Sequence, residues 1–177
     1  MTVTPDTTPV ETRQDVTPGT VGDWVVAVQE YVVGQEPTTA GWLRVPGLVE
    51  ITPPQIEKNL EDDGEINGDP WGSQLGTGIS WTSEGTIKVP RATMVIPESH
   101  KLLRAAGRGV AEDGLVWVRF YKVNGDRSGD QGVADVTYTE QGGKKTDLTL
   151  AELTFTGRGR LDAITVGADG ASTIVQL

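Results

Sequence analysis

The 177-residue chain contains no cysteine and only one histidine. Without cysteine there is no disulfide framework, no thiolate metal site and no thiol nucleophile, a composition compatible with the cytosol. With one histidine, a zinc site or a Ser–His–Asp triad lacks the partners it needs. Long apolar runs are also missing, so no segment is suited to spanning a bilayer. The N-terminus has no basic patch followed by an apolar stretch, so no signal peptide is expected, and the chain reads as soluble and made in the cytoplasm. Basic residues are few: 15 Lys and Arg face 25 Asp and Glu, a formal charge of -10. Such a surface argues against a tight grip on nucleic acid, which needs clustered Lys and Arg. It suits a surface past which DNA slides without its phosphates being held, and it equally suits plain solubility.

What the chain does have is short β-branched and aromatic runs separated by turn residues. Residues 1–22, rich in Thr and Pro and poor in large apolar side chains, read as an extended N-terminal arm. From Trp24 the texture changes. Trp24–Val28 and Glu30–Val33 read as strands, as do Trp42–Val45 and Leu48–Ile51 around Pro46-Gly47. Gln55–Leu60 forms another, with Ile56 and Leu60 facing in and Glu57, Asn59 and Glu61 facing out. Asp62–Gly76 is a long loop of Gly, Asp, Asn and Pro. Ile79–Val89 alternates most cleanly: Ile79, Trp81, Ile87 and Val89 on one side, Ser80, Thr82, Glu84, Thr86 and Lys88 on the other, so one face is buried and one wet. A single helix opens at Pro97-Glu98-Ser99, carries Leu102, Leu103 and Ala106 as its apolar stripe, and stops at Gly107 and Gly109. Leu115–Val123, nearly all apolar, reads as a central strand. Val133–Thr139, Leu148–Thr156 and Leu161–Val166 follow. About nine strands, one helix and no βαβ alternation predict a mainly β chain. Two packed antiparallel β-sheets, as a sandwich or barrel, are expected over residues 23–166 with one flanking α-helix. Residues 167–177 form a C-terminal tail that either docks as an edge strand or hangs free.

Catalytic chemistry finds no foothold. His100 is expected on a solvated helix face, and its neighbour Ser99 points elsewhere, so the two make no nucleophile–base pair. Asp63–Gly68 imitates an EF-hand loop, but its twelfth position is Gln74 rather than a bidentate glutamate, and no helix flanks it. Asp126–Asp130 fails in the same way. No phosphate-cradling or dinucleotide motif follows a strand. No cofactor and no metal are expected, and the chain is not expected to be an enzyme.

The remaining signals are surface chemistry. Glu57, Glu61, Asp62, Asp63, Glu65 and Asp69 stand against the single Lys58, either as a solvated acidic loop or as a protruding contact loop with Trp71 as its apolar anchor. Arg104, Arg108, Arg158 and Arg160 are basic residues that could meet such a loop on another copy.

One resemblance joins these pieces. Gly41-Trp42-Leu43-Arg44-Val45-Pro46-Gly47-Leu48, the acidic Leu60–Gly64 and then Asp69-Pro70-Trp71-Gly72-Ser73 open a pattern. Val118–Tyr121, Gly132–Val136, Gly142-Gly143, Asp147-Leu148 and Leu153–Gly159 continue it. In that order the segments resemble a siphophage major tail tube protein. The resemblance implies six-fold rings stacked into a tube for DNA ejection, in which one sheet of each subunit joins its neighbours to line the channel. Implied partners are the chain itself, the tape measure protein, the tail terminator and the distal tail protein, with double-stranded DNA passing without tight binding and no membrane. The implied location is the virion tail. On this pattern Glu57, Glu84, Asp135 and Glu152 line the lumen, with Lys88 sharing the parity of Glu84. Glu61, Asp62, Asp63, Glu65, Asp69 and Trp71 belong to an inter-ring loop, and no decoration domain is expected after Arg160. Two other readings share the strand pattern: a ring-forming tube protein of a contractile injection or secretion machine, and a carbohydrate-binding β-sandwich.

Overall fold

A computed structural model describes residues 21–62, 74–90, 95–143 and 148–175. Its strands are β1 (Trp24–Glu30), β2 (Leu43–Arg44), β3 (Leu48–Asp62), β4 (Gln74–Lys88), β5 (Leu115–Lys122), β6 (Ser128–Glu140), β7 (Leu150–Val166) and β8 (Ser172–Ile174), with helix α1 (Glu98–Ala106) between β4 and β5. The chain is mainly β, with every strand pairing antiparallel.

One expectation is corrected: the described strands form a single eight-stranded sheet, not two packed sheets. Its order is β2-β1-β5-β6-β7-β4-β3, with β8 added to β7. The physical reason lies at three places where the sequence suggests a break and the chain bends instead. Pro53-Pro54 falls within β3, at a register shift between Thr52 and Gln55. Gly157-Arg158-Gly159 lies inside β7, where Gly159 takes φ +92°. A bulge between Gly132 and Ala134 lets β6 follow that bend. Bulges of this kind turn a strand around a corner without ending its ladder, so one sheet serves both walls of the core.

Chain connectivity forces that sheet to curl. β2 and β3 occupy its two ends yet are joined only by Val45-Pro46-Gly47, so the ends stand within about 14 Å of each other. The linker is stitched to both: the Val45 amide donates to the Val26 carbonyl on β1 (2.9 Å), and the Lys88 amide on β4 donates to the Gly47 carbonyl (2.8 Å). Gly47 sits at φ +77°, a left-handed conformation that favours glycine. The result is a barrel whose seam is crossed by three residues.

Inside lie Val26, Val28, Ile51, Trp81, Ile87, Val116, Val118, Phe120, Val136, Leu153 and Phe155. Phe120 meets Trp81 and Phe155 edge-on, with ring centroids 6.5 and 5.6 Å apart, each pair contributing about 0.5–1.5 kcal/mol beyond area burial. Helix α1 starts after Pro97, which has no amide proton to leave unpaired, and ends at Gly107, whose amide bonds the Leu103 carbonyl. Its Leu103 and Ala106 join the same core. His100 corrects a second expectation. It is buried, and its Nε2–H donates to the Pro46 carbonyl at 2.9 Å, pinning α1 to the seam. The tail also resolves: Ser172–Ile174 docks on β7 as an edge strand.

Candidate functional site

Among the described residues, nothing packs over the outer face of β3, β4, the first half of β7 and the end of β6. Strand register arranges its residues in rows that run from β3 to β6. One row is Glu50, Thr86, Glu152 and Thr139; the next is Thr52, Glu84, Thr154 and Thr137; the third is Gln55, Thr82, Thr156 and Asp135. Glu57 lies beyond them, opposite Ser80. The sequence alternation of β4 puts Glu84 and Thr86 outside because Gly85 and Ile87 turn inward, where Ile87 is fully buried. No carboxylate in these rows stands directly opposite another. Each has threonine, serine or a like neutral group across the strand, and acids meet only diagonally, about 7–8 Å apart. That spacing holds a dense negative field without the cost of directly opposed like charges.

All four residues expected to line a lumen thus share one face. Glu57, Glu84 and Glu152 are exposed, and Asp135 is half-buried. Glu152 accepts from Gln141 Nε2 at 2.5 Å, and Asp135 pairs with Arg158 at 3.6 Å. Lys88 projects from the same face, opposite Leu150. Glu50, which the sequence reading did not single out, completes the set. Its signal was present in the alternation Val49-Glu50-Ile51, with Ile51 buried and Glu50 exposed.

The other expected residues are dispersed. Glu61 and Asp62 end β3, opposite Leu75 and Gln74. Asp63, Glu65, Asp69 and Trp71 lie outside the described residues. Arg104 on α1 pairs with Glu140 at 3.3 Å, whereas Arg158 pairs with Asp135 and Arg160 with Asp162 at 2.6 Å. Glu140 and Asp135 are five residues apart on β6, roughly 17 Å along a strand, so the arginines do not form one patch. Arg108 is exposed just beyond α1.

The outer face of β1 and β5 differs. Val25 and Ala27 are buried there, and Arg119 is 5% exposed. The Arg119 guanidinium stacks 4.5 Å from the Trp42 ring and 5.3 Å from Tyr121, and its Nη1–H donates to the Gly170 carbonyl at 2.8 Å. Burial holds its pKa below the usual arginine value. Trp42 and the C-terminal turn therefore cover this half of the sheet. Among the described residues no group of three or more His, Asp or Glu is placed to hold a metal ion. No described helix is long and apolar enough to cross a membrane.

No protein-family model matches the chain, and no curated protein matches it in sequence. Solved structures do match its fold. A chain in the tail of an empty gene transfer agent particle, refined with C6 symmetry, superposes at TM-score 0.60, with 13% identity over 81% of this chain and 97% of that one. The fold is one found in particle tails. A chain in the virion of a native gene transfer agent particle gives 0.58, 13%, 82% and 98%. A chain in the six-fold symmetrised anti-feeding prophage baseplate gives 0.58, 10%, 85% and 98%. The shared fold accounts for nearly the whole of each neighbour, and the likeness is one of fold.

Proposed function

We propose that the chain is the subunit of a tail tube of the siphophage kind, closing as six-fold rings that stack into a conduit for DNA. The observation that carries this reading is the bare acid-and-threonine face of β3, β4, β7 and β6 on a fold shared with C6-symmetric tails. Facing a channel, Glu57, Glu84, Asp135 and Glu152 repel phosphate gently over roughly the 8 Å Debye length of physiological salt. Among the described residues no cluster of cations stands on that face to hold the duplex, so it passes.

Two strand edges support ring closure. Among the described residues β3 pairs only with β4, and residues 136–140 of β6 pair with β7 but have no strand on their β5 side, where the end of α1 packs at Tyr138. Pairing the β3 edge of one copy with that β6 edge of the next continues the sheet around a ring and leaves no open edge in the lumen. Rings built from unlike surfaces close laterally, and their stacking faces then propagate as a filament. In this arrangement Glu61, Asp62, Asp63, Glu65, Asp69 and Trp71 reach the adjacent ring. The tape measure protein, tail terminator and distal tail protein meet the tube along its bore and at its ends.

The baseplate likeness favours one second reading, a ring-forming tube protein of a contractile injection machine. Negative-stain electron microscopy of the concentrated protein tests both. Hollow six-fold rings or tubes with a bore wide enough for a duplex are expected. A monomer at every concentration, with tail-tip initiator added as well, overturns both. Spontaneous tubes of fixed short length, formed without a tape measure partner, favour the injection machine.

A further inference from the structure

Two surface features fall outside the acidic face, and they match each other. The first is the corner between α1 and β5. Val110 is 80% exposed there, and Glu112 and Asp113 follow it, both exposed. The corner is tight. A β-carbon on Gly109 would collide with the Asp113 carbonyl, and Ala111 is held at φ +54°. A non-glycine residue in that region carries strain of order 1 kcal/mol or more and persists where its surroundings over-determine it. Beside that strained residue the apolar Val110 side chain stands in water, which folding alone does not reward.

The second feature is a concave apolar site of about 550 Å³ where the β3–β4 ribbon leaves the barrel, formed by Ile56, Lys58, Ile79, Trp81, Arg160 and Leu161. Beyond Thr82, β4 has no β7 partner, so residues 56–62 and 74–81 form a two-stranded ribbon. Such a ribbon is marginal in water unless its apolar face is covered. That face is uncovered: Ile56 is 59% and Ile79 is 69% exposed. Lys58 and Arg160 rim it, both exposed, with the Arg160 Nε committed to Asp162. In a chain of charge -10, an apolar hollow rimmed by cations selects an apolar tip that carries carboxylates.

We propose that the Val110 corner of one copy seats in the Ile56–Ile79 hollow of a second copy, with Glu112 and Asp113 against Lys58 and Arg160. One copy cannot make this contact with itself. The row Leu115, Asp135, Thr156 and Thr82 divides the barrel along its strands. The hollow lies on the side of that row toward Val116, and the corner lies on the other, where Gly107 packs against Tyr138. Apolar fit and opposite charge coincide on two unlike surfaces, so the contact is heterologous and repeats from copy to copy. It names a subunit contact within the tube reading and rests on that reading for its setting.

The absence of native cysteine allows a direct test. Val110→Cys and Ile79→Cys are prepared separately, both at exposed positions where the fold tolerates the change, then mixed and oxidised. A disulfide needs Cα atoms within about 7 Å, so the mixture is expected to give covalent dimer on the order of tenfold above Val110→Cys alone or mixed with Thr173→Cys. Dimer no more abundant than in those controls overturns the contact. Electron microscopy of the same samples separates the two inferences. Rings without the cross-link retain the tube reading and remove this contact; the cross-link without rings, with tail-tip initiator added as well, supports the contact and removes the tube. Neither removes both.

Discussion

The two halves of this one sheet obey different rules. On β1 and β5 both faces are covered: Val26, Val28, Val116, Val118 and Phe120 point into the core, while Val25, Ala27 and Arg119 are buried on the other side beneath Trp42 and the C-terminal turn. Where β3, β4 and β7 pair side by side only one face is covered, and the other presents glutamate and threonine in rows. The same backbone ladder thus serves as a core in one half and as an exposed polar face in the other. The side chains decide which. A strand buried on both faces reads as a continuous apolar run, and a strand with one wet face alternates. Evolution can alter the bare half without rebuilding the core, because its outward residues touch water rather than packing partners.

The largest way to break this comparison is a pair of substitutions matched across it. Phe120→Ala, which empties the centre of the aromatic cluster, is expected to cost about 3–5 kcal/mol in denaturant unfolding. Thr154→Ala on the bare face should stay within about 0.5 kcal/mol. Equal losses would mean that the outer face is a second core. Next in size is Gly157→Ala. Trp81 lies flush against Gly157 and within 2.9 Å of where a β-carbon on Gly132 would sit, and its indole N–H donates to the Gly159 carbonyl at 3.2 Å. A methyl group at position 157 collides with the indole ring, an overpacking cost of roughly 1–3 kcal/mol. Gly142→Ala, whose β-carbon would meet nothing within 4 Å, serves as its control.

Much of this was legible in the residues, for reasons that differ by element. Ile79–Val89 alternates so strictly that its two sides could be told apart, and Trp81 and Ile87 are buried; Ile79, expected beside them, is exposed, as are Ile56 and Leu60 on β3, because β4 has no β7 partner before Thr82. Leu115–Val123 announced a strand covered on both faces, though nothing in it said that Trp42 and Gly170 supply the cover. Strand ends were least legible. Pro53-Pro54 and Gly157-Arg158-Gly159 carry the marks of turns, yet a bulge lets each ladder continue, which is why one curled sheet replaces two. His100 was misread because helix spacing gives a side chain's direction around its own axis and not what waits there. The seam at Pro46 is fixed by tertiary closure. The acidic face was legible residue by residue, but its row-by-row alternation of acid with threonine depends on register between strands far apart in sequence.

The third prediction sharpens the comparison through function. Reversing Glu84 and Asp135 to lysine changes two outward side chains, so unfolding free energy should shift by about 1 kcal/mol or less. Loss of the Asp135–Arg158 pair is included in that figure. Cations placed in a channel hold phosphate, so DNA ejection from assembled particles should slow while ring formation persists. Normal ejection kinetics from intact tubes would remove these residues from the lumen.

The smallest effect comes from the covered half and concerns pH. Asp130 lies opposite Phe120 on β6, partly buried, and desolvation pushes its pKa above the ordinary carboxylate value. A carboxyl group whose folded pKa is raised binds its proton more tightly in the native state. Its penalty is absent below the unfolded value of about 3.9, grows as pH rises through the folded pKa, and is constant above that. Asp130→Asn removes the charge and keeps the shape, so it should raise stability at neutral pH by about 0.5 kcal/mol or less. That gain should vanish toward pH 3, where both proteins are neutral at this site. Thermal unfolding of the parent and of Asp130→Asn from pH 3 to 7 reads this gain. If the two proteins kept a constant difference across that range, the burial of Asp130 would carry no charge penalty, and the division between the two halves would fail at that edge.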